Sequence, residues 1–502
     1  MGIPMWECLM GKIASFVSLA GILLDRDDGL PLYQQLYDQI RYMILNGVLL
    51  AGSRLPPTRT LCEELDLSRS TVVEAMAQLK AEGYLESQVG RGTFVAVALP
   101  EKLLRVPDDA HVVAQPVGEA VGVLSERGER LTAVSIPSKQ HGLFRPGMPD
   151  THTFPLKTWR KLIDNHWQNA NIESLGYGDP AGYLPLRQAI AEHGRLARRV
   201  NCVPEQVIIT AGAQQALYLT AQLLVGSGDQ VWVENPGYSG AHVAFRAAGA
   251  NLCPIQVDEN GLDVEAGIAS APNAKLIYVC PSHQYPVGGT LPVARRLQLL
   301  SWAAQQGAWI VEDDYDSEYR YSGHPLASLQ GLDLQQRVIY MGTFSKVMFP
   351  SIRLGYVIVP MQLCDAFVKA RSVIDRGSST VTQMALVDFM REGHFSRHIR
   401  RLRVIYAQRQ QAAIAAIAAL CDGMLTGRPF PAGIHLLAWL PERWDDQAVT
   451  AALSEHGFAI QPLSNYSLTR LNRGGLVLGY AAHDETMIWS GVKKMAETLR
   501  HF

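Results

Sequence analysis

A lysine that closely follows a short apolar run is the first candidate for chemistry in this 502-residue chain. The run Val338–Tyr340 leads into a Gly-Thr-Phe-Ser-Lys turn that ends at Lys346, and Arg353 stands seven residues further on. A lysine amine forms a Schiff base with an aldehyde. The hydroxyls of Thr343 and Ser345 and the Arg353 guanidinium suit a phosphate on the same molecule. The stretch therefore predicts a site for a phosphorylated aldehyde, with an ordinary surface lysine in a turn as the alternative.

An acidic run marks a second strand end. Glu312–Asp316 carries four carboxylates and follows the apolar residues Trp309–Val311. Because like charges repel, this much acid needs a cationic partner, a metal ion or open solvent. A protonated pyridine nitrogen is one such partner, and Asp313 paired with it would keep the ring an electron sink, while Tyr315 reaches a ring hydroxyl. We predict no metal site, because the chain lacks histidines at a suitable spacing.

Three further turns in the same part of the chain follow apolar runs. Ala211–Gln215 opens a helical pattern, so that its backbone N–H groups can face a phosphate. Tyr238 is placed to stack on a planar cofactor, with a tyrosine in the core as the alternative. Pro281–Gly288 is a polar loop between two prolines that contains Gln284 and Tyr285.

The candidate residues lie in a segment, from Phe144 to about Pro360, in which apolar β-rich runs alternate with helical stretches. Such alternation indicates an α/β domain with a mostly parallel sheet of seven strands. In these sheets the site lies outside the carboxyl ends of the strands. The predicted strands are Val207–Thr210, Gln230–Glu234, Leu252–Ile255, Leu276–Cys280, Trp309–Asp313, Val338–Thr343 and Gly355–Val359.

From Tyr177 onward the chain closely resembles the fold type I family of pyridoxal-phosphate-dependent aminotransferases. The motifs that carry the resemblance begin at Tyr177-Gly178-Asp179-Pro180, Pro281-Ser282-His283-Gln284, Glu312-Asp313-Asp314-Tyr315 and Gly342-Thr343-Phe344-Ser345-Lys346. The resemblance implies pyridoxal phosphate as cofactor, held through an aldimine on Lys346, with Asp313 at the pyridine nitrogen. It also implies stacking by Tyr238, ring-oxygen contacts from Tyr315 and from Gln284 or Tyr285, and phosphate contacts from Gly212, Ala213, Gln214, Thr343, Ser345 and Arg353.

The resemblance extends to the C-terminus with one departure. Beyond Met361 the pattern is mostly helical, with strands near Ile434–Leu440 and Leu476–Tyr480. Aminotransferases hold the substrate carboxylate with an arginine on the second of these strands, but here it contains none, and Arg470 and Arg473 lie in the preceding loop. We therefore expect weak or absent transamination.

The N-terminal segment shows the pattern of a winged helix-turn-helix. Helical patterns cover Leu30–Asn46, a stretch ending at Leu65, and Arg69–Glu82, after which Tyr84–Val95 alternates as a hairpin does. Ser68 is the expected N-cap of the third helix, which would enter the DNA major groove. The segment from 30 to 97 has six basic and seven acidic residues, so charge gives little support, and a protein-interaction module is the alternative.

The same segment resembles the DNA-binding domain of GntR-type bacterial regulators, and the whole chain resembles the MocR subfamily, in which such a domain is fused to an aminotransferase-like one. The matching motifs include Leu67-Ser68-Arg69-Ser70-Thr71-Val72 and Gly90-Arg91-Gly92-Thr93-Phe94-Val95. Residue placement and this resemblance together predict DNA contacts from Arg59, Arg69, Ser70, Thr71, Arg91 and Gly92.

Composition fits a cytoplasmic protein. The chain is 48% hydrophobic and 18% charged with a net charge of −2, which is typical of a globular protein. Its seven cysteines include no CxxC pair, which favours reduced thiols over a disulfide framework or a zinc site. The apolar stretch Ile13–Leu24 is too short to span a bilayer and lacks a cleavage site, so we expect neither membrane insertion nor export.

Together these features predict an N-terminal extension (1–29), a winged helix-turn-helix (30–97), a linker (98–142) and an aminotransferase-like domain (143–502) whose large part ends near 360. We expect a transcriptional regulator that binds double-stranded operator DNA, and the resemblance implies a head-to-tail homodimer. Its effector would be the cofactor itself, an amine or an amino acid. The alternative is an active aminotransferase with an appended regulatory module.

Overall fold

The computed structural model describes residues 19, 21–26, 29–88, 90–99, 124–132, 142–322 and 326–502. Most of the predicted N-terminal extension and of the predicted linker lies outside these residues. The chain divides into two compact units, Met1–Gly122 and Val123–Phe502.

The N-terminal unit is a three-helix domain with a two-stranded wing, as the sequence predicted. Its helices are α1 (Leu32–Leu45), α2 (Thr58–Leu65) and α3 (Arg69–Ala81), and its strands β1 (Leu85–Gln88) and β2 (Gly92–Val95) pair antiparallel. Ser68 caps α3, because its hydroxyl accepts the Thr71 N–H at 3.2 Å. The helices enclose a core that includes Leu36, Ile40, Val72, Met76 and Leu79.

The C-terminal unit contains the remaining helices and two sheets. Its helices are α4 (Glu126–Thr132), α5 (Leu156–Gln168), α6 (Ile172–Leu175), α7 (Leu184–Arg198), α8 (Ala213–Leu224), α9 (Ser239–Ala247), α10 (Val264–Ser270), α11 (Val293–Gln306), α12 (Cys364–Ile374), α13 (Thr380–Arg391), α14 (His394–Leu420), α15 (Asp446–Glu455) and α16 (Glu485–Leu499). Helix α4, which the sequence analysis did not predict, lies in the segment assigned to the linker, and its Arg127 donates to the Tyr218 hydroxyl at 3.0 Å.

All seven predicted strands are present in the large sheet. They are β3 (Val207–Thr210), β4 (Gln230–Asn235), β5 (Asn251–Asp258), β7 (Leu276–Val279), β8 (Trp309–Asp314), β9 (Val338–Thr343) and β10 (Gly355–Ile358). A two-residue strand, β6 (Gly261–Leu262), pairs with β5 and makes the sheet eight-stranded, in the order β3-β10-β9-β8-β7-β4-β5-β6. The sequence analysis missed β6 because two residues show no periodicity.

The central strands of this sheet are parallel and buried on both faces. Strands β4, β5, β7, β8 and β9 run in one direction, whereas β10 is antiparallel to both its neighbours. Alternate side chains enter different cores: Ile277 and Ile310 pack in one, and Tyr278 and Val311 in the other. Burial on both faces explains why these strands are continuous apolar runs in the sequence.

The small sheet follows the helices after β10. It consists of β11 (Thr426–Gly427), β12 (His435–Trp439), β13 (Gln461–Pro462) and β14 (Gly475–Gly479), in the antiparallel order β11-β12-β14-β13. Residues of α14 and α16 share one core with this sheet. Within the described parts of the chain, no helix has the length and apolar character needed to cross a membrane.

Candidate functional site

The parallel strands bring the predicted cofactor residues to one edge of the large sheet. Strands β4, β7, β8 and β9 lie side by side, so their carboxyl ends meet there. Tyr238 follows β4, Gln284 and Tyr285 follow β7, and Asp313 lies at the end of β8. Lys346 follows the end of β9 by three residues.

Lys346 is partly buried, and its amine is held by a backbone group from the start of the C-terminal unit. The Nζ atom donates to the Gly147 carbonyl at 2.8 Å. Burial lowers the pKa of Lys346 below its ordinary value, and the carboxylates of Asp316 and Asp313 oppose this effect only in part. A lowered pKa increases the share of neutral amine, the nucleophilic form. Gly147 has φ +74°, a backbone conformation that favours glycine, and a Cβ there would lie 2.9 Å from Nζ.

Asp313 is a buried carboxyl group with one oxygen unpartnered. Its Oδ2 accepts from the Tyr278 hydroxyl at 2.7 Å, while Oδ1 has no hydrogen-bond partner among the described residues. Burial raises the pKa of Asp313 to about 7, against the opposing effect of the Tyr278 hydrogen bond. A ligand that brings a buried N–H donor or a cation to Oδ1 would satisfy the carboxylate. A protonated pyridine nitrogen fits this requirement.

The neighbouring acids have hydrogen-bond or ion-pair partners in the protein, although Asp314 Oδ1, like Asp313 Oδ1, has none among the described residues. Glu312 accepts the backbone N–H groups of Leu329 and Gln330, each at 2.8 Å. Asp314 pairs with Arg198 at 2.7 Å. These contacts, rather than a metal ion, account for the acids at those two positions. Asp316 lies against His283, with which it forms a buried ion pair or hydrogen bond at 3.0 Å.

The predicted phosphate-binding residues surround the start of α8. Gly212, with φ +111°, precedes the first helical residue, Ala213, so the turn exposes the N–H groups of a helix N-terminus. A Cβ on Gly212 would lie 4.0 Å from an Arg353 guanidinium nitrogen. Arg353 is exposed and forms no ion pair within the described residues. Thr343 Oγ1 accepts from the Ser345 N–H at 3.2 Å.

The aromatic and amide candidates differ in how much of their hydrogen-bonding capacity remains. The Tyr238 hydroxyl lies 3.4 Å from Gln214 Oε1, and the Gln214 amide donates to the Gly240 carbonyl at 3.0 Å. Gln284 is fully buried, and its amide nitrogen donates to the carbonyls of Pro236 and of its neighbour at 2.9 and 2.7 Å. Its amide oxygen also accepts a backbone N–H. Gln284 thus holds the loop after β7 in shape.

The two tyrosines that follow β7 and β8 lie close to each other at the site. The rings of Tyr285 and Tyr315 meet edge to face at 5.8 Å. The Tyr285 hydroxyl donates to the Tyr466 hydroxyl at 3.0 Å, and the Tyr315 hydroxyl lies 3.0 Å from His283 Nδ1. Gln284 and Tyr285 were both predicted for the second ring-oxygen contact. The Gln284 amide is bonded to backbone groups, whereas the Tyr285 hydroxyl is bonded to a side chain, so Tyr285 is the better candidate.

Several residues of the site were not predicted. Gly147 lies before the first predicted strand, and Tyr278 lies inside a strand that reads as continuous core. His435 opens β12 and its ring lies 5.1 Å from that of His283. Neither loop arginine lies on the strand: Arg473 donates through Nε to the Leu440 carbonyl at 2.6 Å, and Arg470 is exposed.

The candidate DNA-binding residues are accessible in the N-terminal unit. Arg69 and Ser70 are exposed in the first turn of α3, and Thr71 is half-buried beside the Ser68 cap. Arg59 is exposed on α2 and pairs with Glu63 at 3.2 Å. Arg91 and Gly92 are exposed at the tip of the wing. Gly92 has φ +115°, and a Cβ there would lie 2.9 Å from the Arg54 side chain.

Comparison with known proteins assigns both units. Residues 32–95 match the bacterial regulatory proteins of the gntR family, and residues 147–494 match the class I and II aminotransferases. A probable rhizopine catabolism regulatory protein, MocR, of Rhizobium meliloti is 40% identical over 94% of this chain and 95% of its own length. The chain belongs to the MocR-type regulators of the GntR family. The pyridoxine biosynthesis regulator PdxR of Corynebacterium glutamicum is 34% identical, over 91% of this chain and 93% of its own length.

The fold of the C-terminal unit agrees with this assignment. The α-aminoadipate aminotransferase LysN of Thermus thermophilus, whose structure was solved with N-(5'-phosphopyridoxyl)-L-leucine, is 27% identical in sequence. It superposes with a TM-score of 0.70, and the match covers 75% of this chain and 97% of the LysN chain. This MocR-type regulator therefore has a winged helix-turn-helix domain and a fold type I aminotransferase domain. The second domain indicates pyridoxal phosphate as its cofactor.

Replacement of Asp313 with Asn is predicted to change how stability depends on pH in the cofactor-free chain. The folded-state pKa of about 7 exceeds the unfolded value of 3.8, so the contribution of Asp313 is fully present below the unfolded value and is lost as pH rises through about 7. The variant should therefore gain on the order of a few kcal/mol relative to the wild type between about pH 5 and about pH 8. Urea unfolding at several pH values measures the difference.

The matched control is Asp365→Asn, which removes an exposed carboxylate from α12. A difference between Asp313→Asn and the wild type that stays constant across this pH range would contradict the assignment of a raised pKa to Asp313.

Proposed function

We propose that this chain regulates transcription from operator DNA in response to a small molecule bound in its aminotransferase-like domain, with pyridoxal phosphate attached through Lys346. The observation that carries the cofactor assignment is the buried Asp313 carboxylate, whose Oδ1 has no partner among the described residues and lies at the same sheet edge as the lysine. When bound, pyridoxal phosphate supplies an electrophilic aldehyde and an electron-withdrawing ring.

The surrounding residues have separate roles in this proposal. Lys346, whose pKa is lowered by burial, offers its amine to the aldehyde, and Asp313 holds the proton on the pyridine nitrogen. Tyr315, with Tyr285 rather than Gln284, faces the ring oxygen, and Tyr238 covers one ring face. The phosphate is held by Thr343, Ser345, Arg353 and the backbone of Gly212, Ala213 and Gln214, a set that combines a helix N-terminus with a guanidinium.

The alternative function is an active aminotransferase. The presence of both Lys346 and the buried Asp313 at the site favours this alternative. The small sheet argues against it. Strand β14 contains no arginine, Arg473 is bonded to the Leu440 carbonyl, and Arg470 is exposed in a loop. Without a rigid guanidinium fork, an amino-acid substrate loses both a charge-assisted pair and its orientation. Sustained turnover of amino-acid and keto-acid pairs would favour the alternative.

A cavity beside the candidate site is suited to an effector. It has a volume of about 920 Å³ and is lined by Tyr238, Tyr285 and Tyr466 together with the guanidinium-bearing residues Arg145 and Arg246. Two guanidinium groups among tyrosine hydroxyls favour a carboxylate-bearing ligand such as an amino acid. The effector in this proposal is thus either pyridoxal phosphate itself or an amine or amino acid that enters next to it.

The proposal includes a head-to-tail homodimer. The C-terminal unit exposes large apolar side chains close together in sequence, including Trp167 (57% exposed), Leu175 (60%) and Tyr177 (86%). Exposed apolar side chains of this kind are typical of a surface that a partner covers. A dimer also supplies two recognition helices, which matches the two half-sites of a palindromic operator.

Replacing Lys346 with Ala should abolish covalent cofactor binding. The wild-type protein, loaded with pyridoxal phosphate and dialysed, should absorb in the near-visible, because the bound aldehyde is conjugated with the ring. The variant should lose this band on dialysis, as measured by absorption spectroscopy. Lys369→Ala, which alters an exposed lysine paired with Asp365, is the control and should keep the band. A Lys346→Ala spectrum identical to that of the wild type would exclude this lysine.

Replacing Arg69 with Ala should weaken operator binding by about 1–3 kcal/mol if its guanidinium contacts a guanine. Gel shifts on the DNA flanking the chain's own gene, at fixed salt, measure the effect, and the near-visible spectrum should stay unchanged. Lys80→Ala, in the last turn of α3, is the control and should have a much smaller effect. If operator affinity is the same with and without the Arg69 side chain, α3 is not placed in the major groove as proposed.

A further inference from the structure

Two histidines and an aspartate from distant parts of the chain meet inside the C-terminal unit. His283 lies in the loop after β7, Asp316 lies just after β8, and His435 is the first residue of β12. Their exposed fractions are 2%, 1% and 0%. One potential ligand atom from each residue lies within 4.8 Å of the other two. The cluster thus joins the edge of the large sheet to the small sheet.

The two imidazole rings have nitrogens that the described protein groups do not satisfy. His283 Nε2 and both ring nitrogens of His435 have no hydrogen-bond partner among the described residues. The Pro286 carbonyl interacts with the His435 ring, but the contact does not have the geometry of a hydrogen bond. A buried polar atom without a partner is unfavourable, so these three atoms call for a partner that the described protein groups do not supply, such as an ion.

A hydrogen-bonded relay explains only half of the cluster. His283 Nδ1 lies 3.0 Å from the Tyr315 hydroxyl and 3.0 and 3.1 Å from the two Asp316 oxygens. These contacts give His283 and Asp316 a role in orienting Tyr315. They leave His435 without a function, although its ring is fully buried and lies 5.1 Å from the ring of His283.

We propose that His283, Asp316 and His435 bind a divalent first-row transition-metal ion, such as Zn²⁺ or Co²⁺. Two imidazoles and one carboxylate are a donor set that such ions favour and that leaves coordination positions open. Ligand atoms bound to one ion at about 2.1 Å lie about 3–4 Å apart, and one ligand atom of each of the three residues lies within 4.8 Å of the other two, so small side-chain movements would close the site on an ion.

Two charged groups near the cluster act on the ion in opposite directions. Asp316 supplies a negative charge that favours the ion, whereas the Lys346 amine, which donates to the Gly147 carbonyl, disfavours it when protonated. Because the cluster lies beside Tyr315, an ion with open coordination positions would offer an effector with oxygen or nitrogen donors a second point of attachment. The proposal does not depend on the cofactor roles assigned above.

The test uses the purified full-length chain, dialysed first against a chelator and then against chelator-free buffer. Co²⁺ is added in steps and followed by its visible absorption bands, and bound metal is counted after equilibrium dialysis. The wild type should bind one ion per chain with nitrogen-ligand bands. Asp316→Asn and His435→Gln should each weaken binding at least about 100-fold, since even the loss of a group that supports a ligand costs up to that much.

The control is His456→Ala, which removes an exposed histidine at the end of α15 and should leave binding unchanged. Circular dichroism verifies that each variant folds. If one does not fold, X-ray absorption of the wild-type Co²⁺ complex decides: scattering from two imidazoles supports the proposal, and a shell of oxygens alone overturns it. Absence of binding in the wild type, or binding that survives both ligand substitutions, also overturns it and leaves the cluster as a relay to Tyr315.

Discussion

The candidate site depends on the burial of ionisable groups at the carboxyl edge of the large sheet. A carboxylate removed from water must be paired or protonated. Arg198 pairs with Asp314, and backbone N–H groups satisfy Glu312. Asp313 has only the Tyr278 hydroxyl, and one of its oxygens is left without a partner in the described structure. Burial also lowers the pKa of Lys346. Burial therefore produces both an acceptor for a ring N–H, at Asp313, and a more nucleophilic amine, at Lys346.

In our proposal, this site holds the cofactor but lacks the strand arginine that orients an amino-acid substrate in aminotransferases. The cofactor-facing features are built from strand ends and a helix N-terminus, which the sheet fixes rigidly. The substrate clamp expected on β14 is missing, and the chain instead carries a DNA-binding domain. A binding site of this kind can bias a protein between two arrangements, provided that the ligand has unequal affinity for them.

Much of the fold and part of the site follow from the sequence. The strands were predictable because burial on both faces requires continuous apolar runs, and Lys346, Asp313 and Tyr315 stand directly at their ends. Local sequence does not reveal contacts between distant segments. Gly147 and His435 lie far from Lys346 in the chain, and only the packing of the small sheet brings them to the site. Gln284 shows a second limit of sequence-based prediction. A polar residue after a strand either contacts a ligand or stabilises its own loop through backbone hydrogen bonds, and the sequence does not distinguish the two roles.

The central claim is that the state of the aminotransferase-like domain sets the affinity for DNA. The most direct test measures operator affinity with and without pyridoxal phosphate, for the wild type and for Lys346→Ala, at one salt concentration. The account predicts that the cofactor changes wild-type affinity by about fivefold or more and leaves the variant unaffected. Wild-type affinity that ignores pyridoxal phosphate but responds to one amino acid or amine would contradict the cofactor as the signal. Affinity that responds to none of these ligands would contradict the claim itself.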